Sequence, residues 1–127
     1  MKKTNEAGVT FVELLITVFV FTGAILGALM FFVNAMVASQ YAKDMTVVTS
    51  HAEYIMEEME SRSTLANITG TNWVNWCVSQ NIPSLPSEVI NITFTNAAAD
   101  PLAINVNIRW LTKTRLLSET FATRMTK

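Results

Sequence analysis

Carboxylates crowd one short stretch of the sequence, and carboxylates near a histidine are the usual material of a metal site. Glu53 and Glu57 lie one helical turn apart in "HAEYIMEEME", and His51 is close by. A ferritin-like site, however, takes its ligands from several facing helices, and the sequence predicts only one long helix. We interpret the stretch as a solvated acidic face and predict no metal, no cofactor and no enzymatic activity. The formal net charge of -1 also gives no basis for binding nucleic acid.

One further carboxylate, that of Glu13, lies at the start of an apolar segment. Residues 14–33 carry no charge, and a helix of that length covers roughly 30 Å, the thickness of a bilayer core. The sequence therefore predicts that this segment spans a membrane. Lys2 and Lys3 precede it, which favours a cytoplasmic N-terminus and sends the C-terminal part across the membrane.

A carboxylate near one end of a membrane helix is costly unless it finds a partner. If the chain were cut after Gly8, the new α-amino group of Val9 would be a cation at membrane depth. Chains lying side by side, staggered along their axes, would then pair the Glu13 of one chain with the Val9 amine of another. In this hypothesis Glu13 sets the register of an assembly.

The helical pattern continues beyond the apolar segment, because no proline occurs before Pro83 and no glycine lies between Gly27 and Gly70. We predict one long helix over about residues 10–62, half in lipid and half amphipathic. Its amphipathic half has an apolar face, here called the helix seam, whose residues recur at helical spacing. The residues of the helix seam are Tyr41, Met45, Val48, Ala52, Ile55 and Met59.

Three later segments alternate apolar and polar residues with the period of two that is typical of β-strands. They are "EVINITF", "INVNIRW" and "LLSETFATRM", and the connections between them are short enough for hairpins. The sequence predicts an α+β fold, in which a three-stranded antiparallel meander packs on the helix seam. Trp110 is expected to be largely buried in this interface.

Residues 63–88 connect the predicted helix to the sheet. Trp73 and Trp76 lie one helical turn apart, after Asn72, a residue type that favours the N-cap position. The pair either forms a binding surface or closes the edge of a small core, and the second interpretation is favoured. The segment "IPSLPSE" predicts a plain extended connector. Cys77 is the only cysteine, so no internal disulfide is expected and we interpret it as a small buried apolar residue.

The stretch "KKTNEAG-VTFVELLITVFVF" resembles the class III signal of type IV pilins and type II secretion pseudopilins. That family shows a short basic leader ending in glycine, then an apolar residue, Thr, two apolar residues, Glu and an apolar run. Gly8 matches the residue before the scissile bond, and Thr10 and Glu13 match the family's threonine and glutamate. Val9 departs from the family, whose first mature residue is most often Phe or Met, and slower cleavage is expected. The predicted long helix with a small sheet on its distal half also resembles the family.

The resemblance implies processing and assembly rather than catalysis. A prepilin peptidase would cleave after Gly8 from the cytoplasmic side and methylate the Val9 nitrogen. Thr10 and Glu13 would serve assembly and register. The protein would span the inner membrane once and then enter a filament, with other pilin or pseudopilin subunits and the inner-membrane assembly platform as partners. The segments implied are a leader (1–8), a transmembrane and assembly helix (9–38), and a periplasmic or extracellular domain (39–127).

Within this family the sequence resembles a minor subunit, either a V-type minor pilin or an I-type minor pseudopilin. It has no proline in the apolar helix, no cysteine pair and no acidic calcium loop, which are features of major subunits. The sequence does not separate a type IV pilus from a type II secretion system. The competing hypothesis is a single-pass membrane protein whose sheet domain binds a ligand, which leaves Glu13 without a partner.

Overall fold

The computed structural model describes residues 10–113 and 115–127 and has the α+β architecture that the sequence predicts. Three helices precede three strands along the chain. They are α1 (Phe11–Ser61), α2 (Leu65–Gly70), α3 (Trp73–Ser79), β1 (Val89–Phe94), β2 (Leu102–Thr112) and β3 (Arg115–Met125). The chain forms two compact units, one ending at Gln40 and the other comprising Tyr41–Lys127.

The long helix α1 begins and ends within one residue of the predicted bounds 10–62. In the second unit its buried residues recur every three or four positions, which is the helix seam. Val48, Ala52, Ile55 and Met59 are all buried there. The prediction was wrong at Tyr41, whose side chain is 44% exposed, because the buried face begins instead with Asp44.

The sheet is a meander of antiparallel strands in the order β1-β2-β3. The central strand β2 lies against the helix seam with every second side chain buried, and Trp110 is only 1% exposed, which confirms the prediction. Burying each large apolar side chain contributes about 1.5–3 kcal/mol. The inward-facing residues of β2 are Leu102, Ile104, Val106, Ile108 and Trp110.

The connection between α1 and β1 contains more structure than the sequence indicated. Helix α2 was not predicted, and the Thr64 hydroxyl caps it by accepting from the Asn67 N–H at 3.2 Å. The predicted helical turn at Trp73 is confirmed as α3, with Asn72 as its N-cap. The "IPSLPSE" segment is not plainly extended, because a turn closes it at residues 85–88. Pro86 at its second position and the positive φ of 53° at Ser87 favour a type II turn.

Candidate functional site

The apolar part of α1 that precedes Tyr41 has no protein cover within the described residues. Every side chain from Thr10 to Gln40 is exposed, including large ones such as Phe19, which is 81% exposed. By length and composition α1 contains a segment that is able to cross a membrane. So much apolar surface on one helix requires lipid or another protein around it.

Thr10 and Glu13 come together at the first turn of this helix. The Glu13 N–H donates to the Thr10 hydroxyl at 3.2 Å, and the Leu14 N–H donates to the Thr10 carbonyl at 3.1 Å. Thr10 is therefore the N-cap, and Glu13 is the third helical residue. The pair matches the Thr-x-x-Glu pattern of a capping box, and an acidic side chain also suits the positive end of the helix dipole.

This capping arrangement gives Glu13 a local role that the sequence analysis missed. The Thr-x-x-Glu spacing was the signal that could have indicated it. An acidic residue in the first turn is worth about 0.3–1 kcal/mol near a surface. The lowest scales give about 2.5–3.5 kcal/mol for a charge at the centre of a membrane helix, and the cost is lower for Glu13, which is the third residue of α1. The cap offsets part of that cost, and pairing with a cation of a neighbouring chain is the hypothesis for the rest. Gly8 and Val9, the predicted cleavage and methylation residues, lie outside the described residues.

In the second unit, Asp44 ties α1 to the end of β2. Its side chain is 5% exposed, and its Oδ2 accepts from Trp110 Nε1 at 3.3 Å and from the Thr112 hydroxyl at 2.8 Å. A buried indole N–H normally requires such an acceptor. Sequence reasoning missed this contact because its partners are far apart in the chain.

A second polar contact joins α1 to the turn before β1. His51 Nδ1 lies 2.7 Å from Glu88 Oε1, and Glu88 Oε2 accepts from the backbone N–H groups of Ser84 and Leu85, each at 2.9 Å. The Glu88 side chain is fully buried. His51 therefore holds the connector rather than joining the acidic residues of α1.

The acidic stretch of α1 is a mostly solvated face, as predicted. Glu53 and Glu57 are exposed, and Glu58 pairs with Arg62 at 2.7 Å. The described part of the chain contains no group of three or more His, Cys, Asp or Glu residues able to hold a metal ion.

The two tryptophans of α3 close the core, as the favoured interpretation predicted. Trp73 is buried and its Nε1 donates to the Ile68 carbonyl at 2.7 Å, while Trp76 packs edge-on against it and stacks on Tyr54. Cys77 is also buried. Burial, with a smaller contribution from the Glu88 charge, raises the pKa of the Cys77 thiol to about 11. A buried thiol with a raised pKa is typical of a cysteine that packs in a core.

Comparison with protein-family models, with curated proteins and with solved structures found no match to this chain.

Proposed function

We propose that this chain is a minor subunit of the type IV pilin or type II secretion pseudopilin kind, which acts by assembly. The observation that supports this most is the contrast along α1. Before Tyr41 the helix has an uncovered apolar surface that begins with the Thr10–Glu13 cap. From Val48 to Met59 its apolar face is covered by the chain's own sheet. The C-terminal part of α1 is thus covered by the chain's own sheet, whereas its apolar N-terminal part is exposed and is suited to packing among other helices.

In the proposed pathway the helix first spans the inner membrane, with the residues before Thr10 in the cytoplasm. A prepilin peptidase hydrolyses the bond after Gly8, which leaves a free α-amino group on Val9, and then methylates that nitrogen. The methylated amine still carries a positive charge at neutral pH. The second unit folds on the far side of the membrane and remains attached to α1.

The Glu13 carboxylate and the Val9 amine of a neighbouring subunit then form the pair that sets the register. At a separation of 4 Å two opposite charges attract with about 1 kcal/mol in water and about 4 kcal/mol at the effective dielectric of a protein surface. The pair is therefore worth most where lipid or packed helices exclude water. Subunits with one stagger gain this energy, whereas subunits with another stagger leave both charges unpaired.

Intact-mass measurement of the protein from membranes tests the processing step, in a host that carries a prepilin peptidase. The wild-type chain is expected to lose residues 1–8 and to gain one methyl group. The Gly8→Val variant is expected to keep residues 1–8, because a glycine without Cβ lets the peptidase approach the backbone closely. Gly23→Val is the matched control, since a Cβ there meets no atom within 4 Å, and it should be cleaved normally.

A wild-type chain that still begins at Met1 in that host would contradict the proposal. The single-pass binding protein would then be the better explanation of the bare helix. Normal cleavage of Gly8→Val would show that Gly8 is not the residue that the peptidase requires.

A further inference from the structure

The outer edge of β3 is open along its whole length. β3 is the last strand in the sheet order β1-β2-β3 and pairs on one side with β2, from Leu102↔Met125 to Thr112↔Arg115. No other strand among residues 10–113 and 115–127 pairs with it. The 11-residue strand contains no proline, and its register with β2 contains no bulge. Prolines and bulges are two of the features by which proteins prevent pairing at an exposed edge, and β3 has neither.

The middle of this edge carries a charge on the side that faces the core. Glu119 lies opposite the fully buried Ile108 and has the same parity as the half-buried Leu117 and Phe121. Neither an ion pair nor a side-chain hydrogen bond holds the Glu119 carboxylate in the described part of the chain. An inward-pointing charge on an edge strand prevents pairing with strands that cannot match it. It equally favours a strand that brings a cation to that position.

A second copy of this chain does not match the edge well. In an antiparallel pair of β3 strands with full overlap, Glu119 lies opposite Phe121 of the other copy, and both carboxylates stay unpaired. A parallel pair through the same edge of both copies turns their core-facing sides to opposite faces of the joined sheet, so the Glu119 of one copy meets no core-facing cation of the other. Only a shifted antiparallel pair brings Glu119 to Arg115 of the other copy, and then only residues 115–119 of each strand overlap. Each arrangement loses either the charge match or most of the backbone hydrogen bonds.

We propose that the β3 edge docks an extended segment of a different subunit, which carries Lys or Arg opposite Glu119 and apolar residues beside Leu117 and Phe121. The inference rests on the proposed function, since it assigns one surface by which this subunit recognises a partner. Backbone hydrogen bonds to β3 provide the affinity for the docked segment. The Glu119 carboxylate provides the specificity, because it favours segments that carry a cation at the opposite position. One favourable cross-strand charge pair contributes roughly 0.2–1 kcal/mol, and a like-charge pair costs a similar amount.

The first test uses the full-length protein in detergent and two short capped peptides. One peptide has valines and a central lysine on one face and threonines on the other, and its matched partner has glutamate in place of the lysine. The lysine peptide is expected to bind about three- to tenfold more tightly and to slow amide hydrogen exchange within β3. Glu119→Lys should reverse the preference and Glu119→Gln should abolish it. Glu53→Lys, on the exposed face of α1, should leave it unchanged. Equal binding of both peptides, or no protection of β3 by either, would overturn the inference.

A second test in cells separates this inference from the proposed function. A photo-cross-linking residue at Ser118, an exposed position of β3, is combined with Glu119→Lys and, separately, with Glu119→Gln. Cross-links to the other subunits should fall with Lys and fall less with Gln, while cleavage after Gly8 continues in both. Unchanged cross-linking with normal cleavage refutes the docking edge alone. Absence of cleavage in every variant, including the wild type, refutes the proposed function.

Discussion

Removing the Asp44 carboxylate should destabilise the second unit by an amount that the structure bounds. Asp44→Ala takes away the acceptor of two hydrogen bonds, from Trp110 Nε1 and from the Thr112 hydroxyl. Asp44→Asn keeps one side-chain oxygen, which is able to accept from both donors as Oδ2 does, and removes only the charge. Glu53→Ala changes an exposed carboxylate on the same helix and serves as the control.

The two donors differ in what the loss costs. The Trp110 indole is almost completely buried, so its N–H would have no acceptor, at a cost of about 1–3 kcal/mol. Its 3.3 Å bond is long, which favours the lower half of that range. Thr112 is half-buried, so its hydroxyl is able to turn to water and adds about 1 kcal/mol. Both substitutions also remove the free-energy cost of burying the Asp44 charge, which partly offsets the loss of stability. The two donors together account for about 2–3 kcal/mol, part of which the regained desolvation cost offsets, so we expect a net loss of about 2 kcal/mol for Ala and about 1 kcal/mol for Asn.

Urea unfolding of the full-length protein in detergent, followed by tryptophan fluorescence, measures both variants. The free energy of unfolding should fall in the order Glu53→Ala, Asp44→Asn, Asp44→Ala. An Asp44→Ala transition midpoint equal to that of the Glu53→Ala control would refute the reasoning. It would mean that the cost of burying the Asp44 charge cancels what its hydrogen bonds contribute.

Three other outcomes follow from the same structure. Cys77 should resist iodoacetamide at pH 8 in the native protein and react in urea, because its raised pKa keeps the thiol protonated until the pH approaches about 11. Ile108→Asp should abolish folding through an unpaired buried charge, whereas Arg109→Asp on the exposed face should not, as circular dichroism will show. A chain that starts at Ser39 should be soluble and folded, because the sheet covers the helix seam; a disordered spectrum would mean that the seam needs other subunits.

The elements were predictable from the sequence because their signals are local. A period of two marks the face of β2 that carries Ile104 to Trp110, and spacings of three and four mark Val48 to Met59. The lack of proline before Pro83, and of glycine between Gly27 and Gly70, indicates the continuity of α1. Even the cap of α3 at Asn72 follows from residue type alone.

The polar contacts were not predictable, because each joins residues whose proximity only the fold decides. Asp44 meets Trp110 across 66 positions of sequence, and His51 meets Glu88 across 37. The buried face of α1 begins at Asp44 and not, as the sequence had predicted, at Tyr41. Asp44 was not expected there, because a charged residue is rarely buried unless it has hydrogen-bond partners. At Glu13 the sequence carried two signals at once, a capping box and a buried charge, and only the second was considered.

The most direct test of the account is cross-linking of the Glu13→Gln variant to its partner subunits in membranes. Glutamine serves a capping box as glutamate does, so the helix start at Thr10 is retained and only the charge is lost. Membrane insertion should be intact, because an uncharged span costs less, and cleavage after Gly8 should continue. We predict that cross-linking and filament assembly or secretion fall sharply. Normal cross-linking and assembly would contradict the charge pair and leave Glu13 with capping alone, as would restoration of assembly by Glu13→Leu.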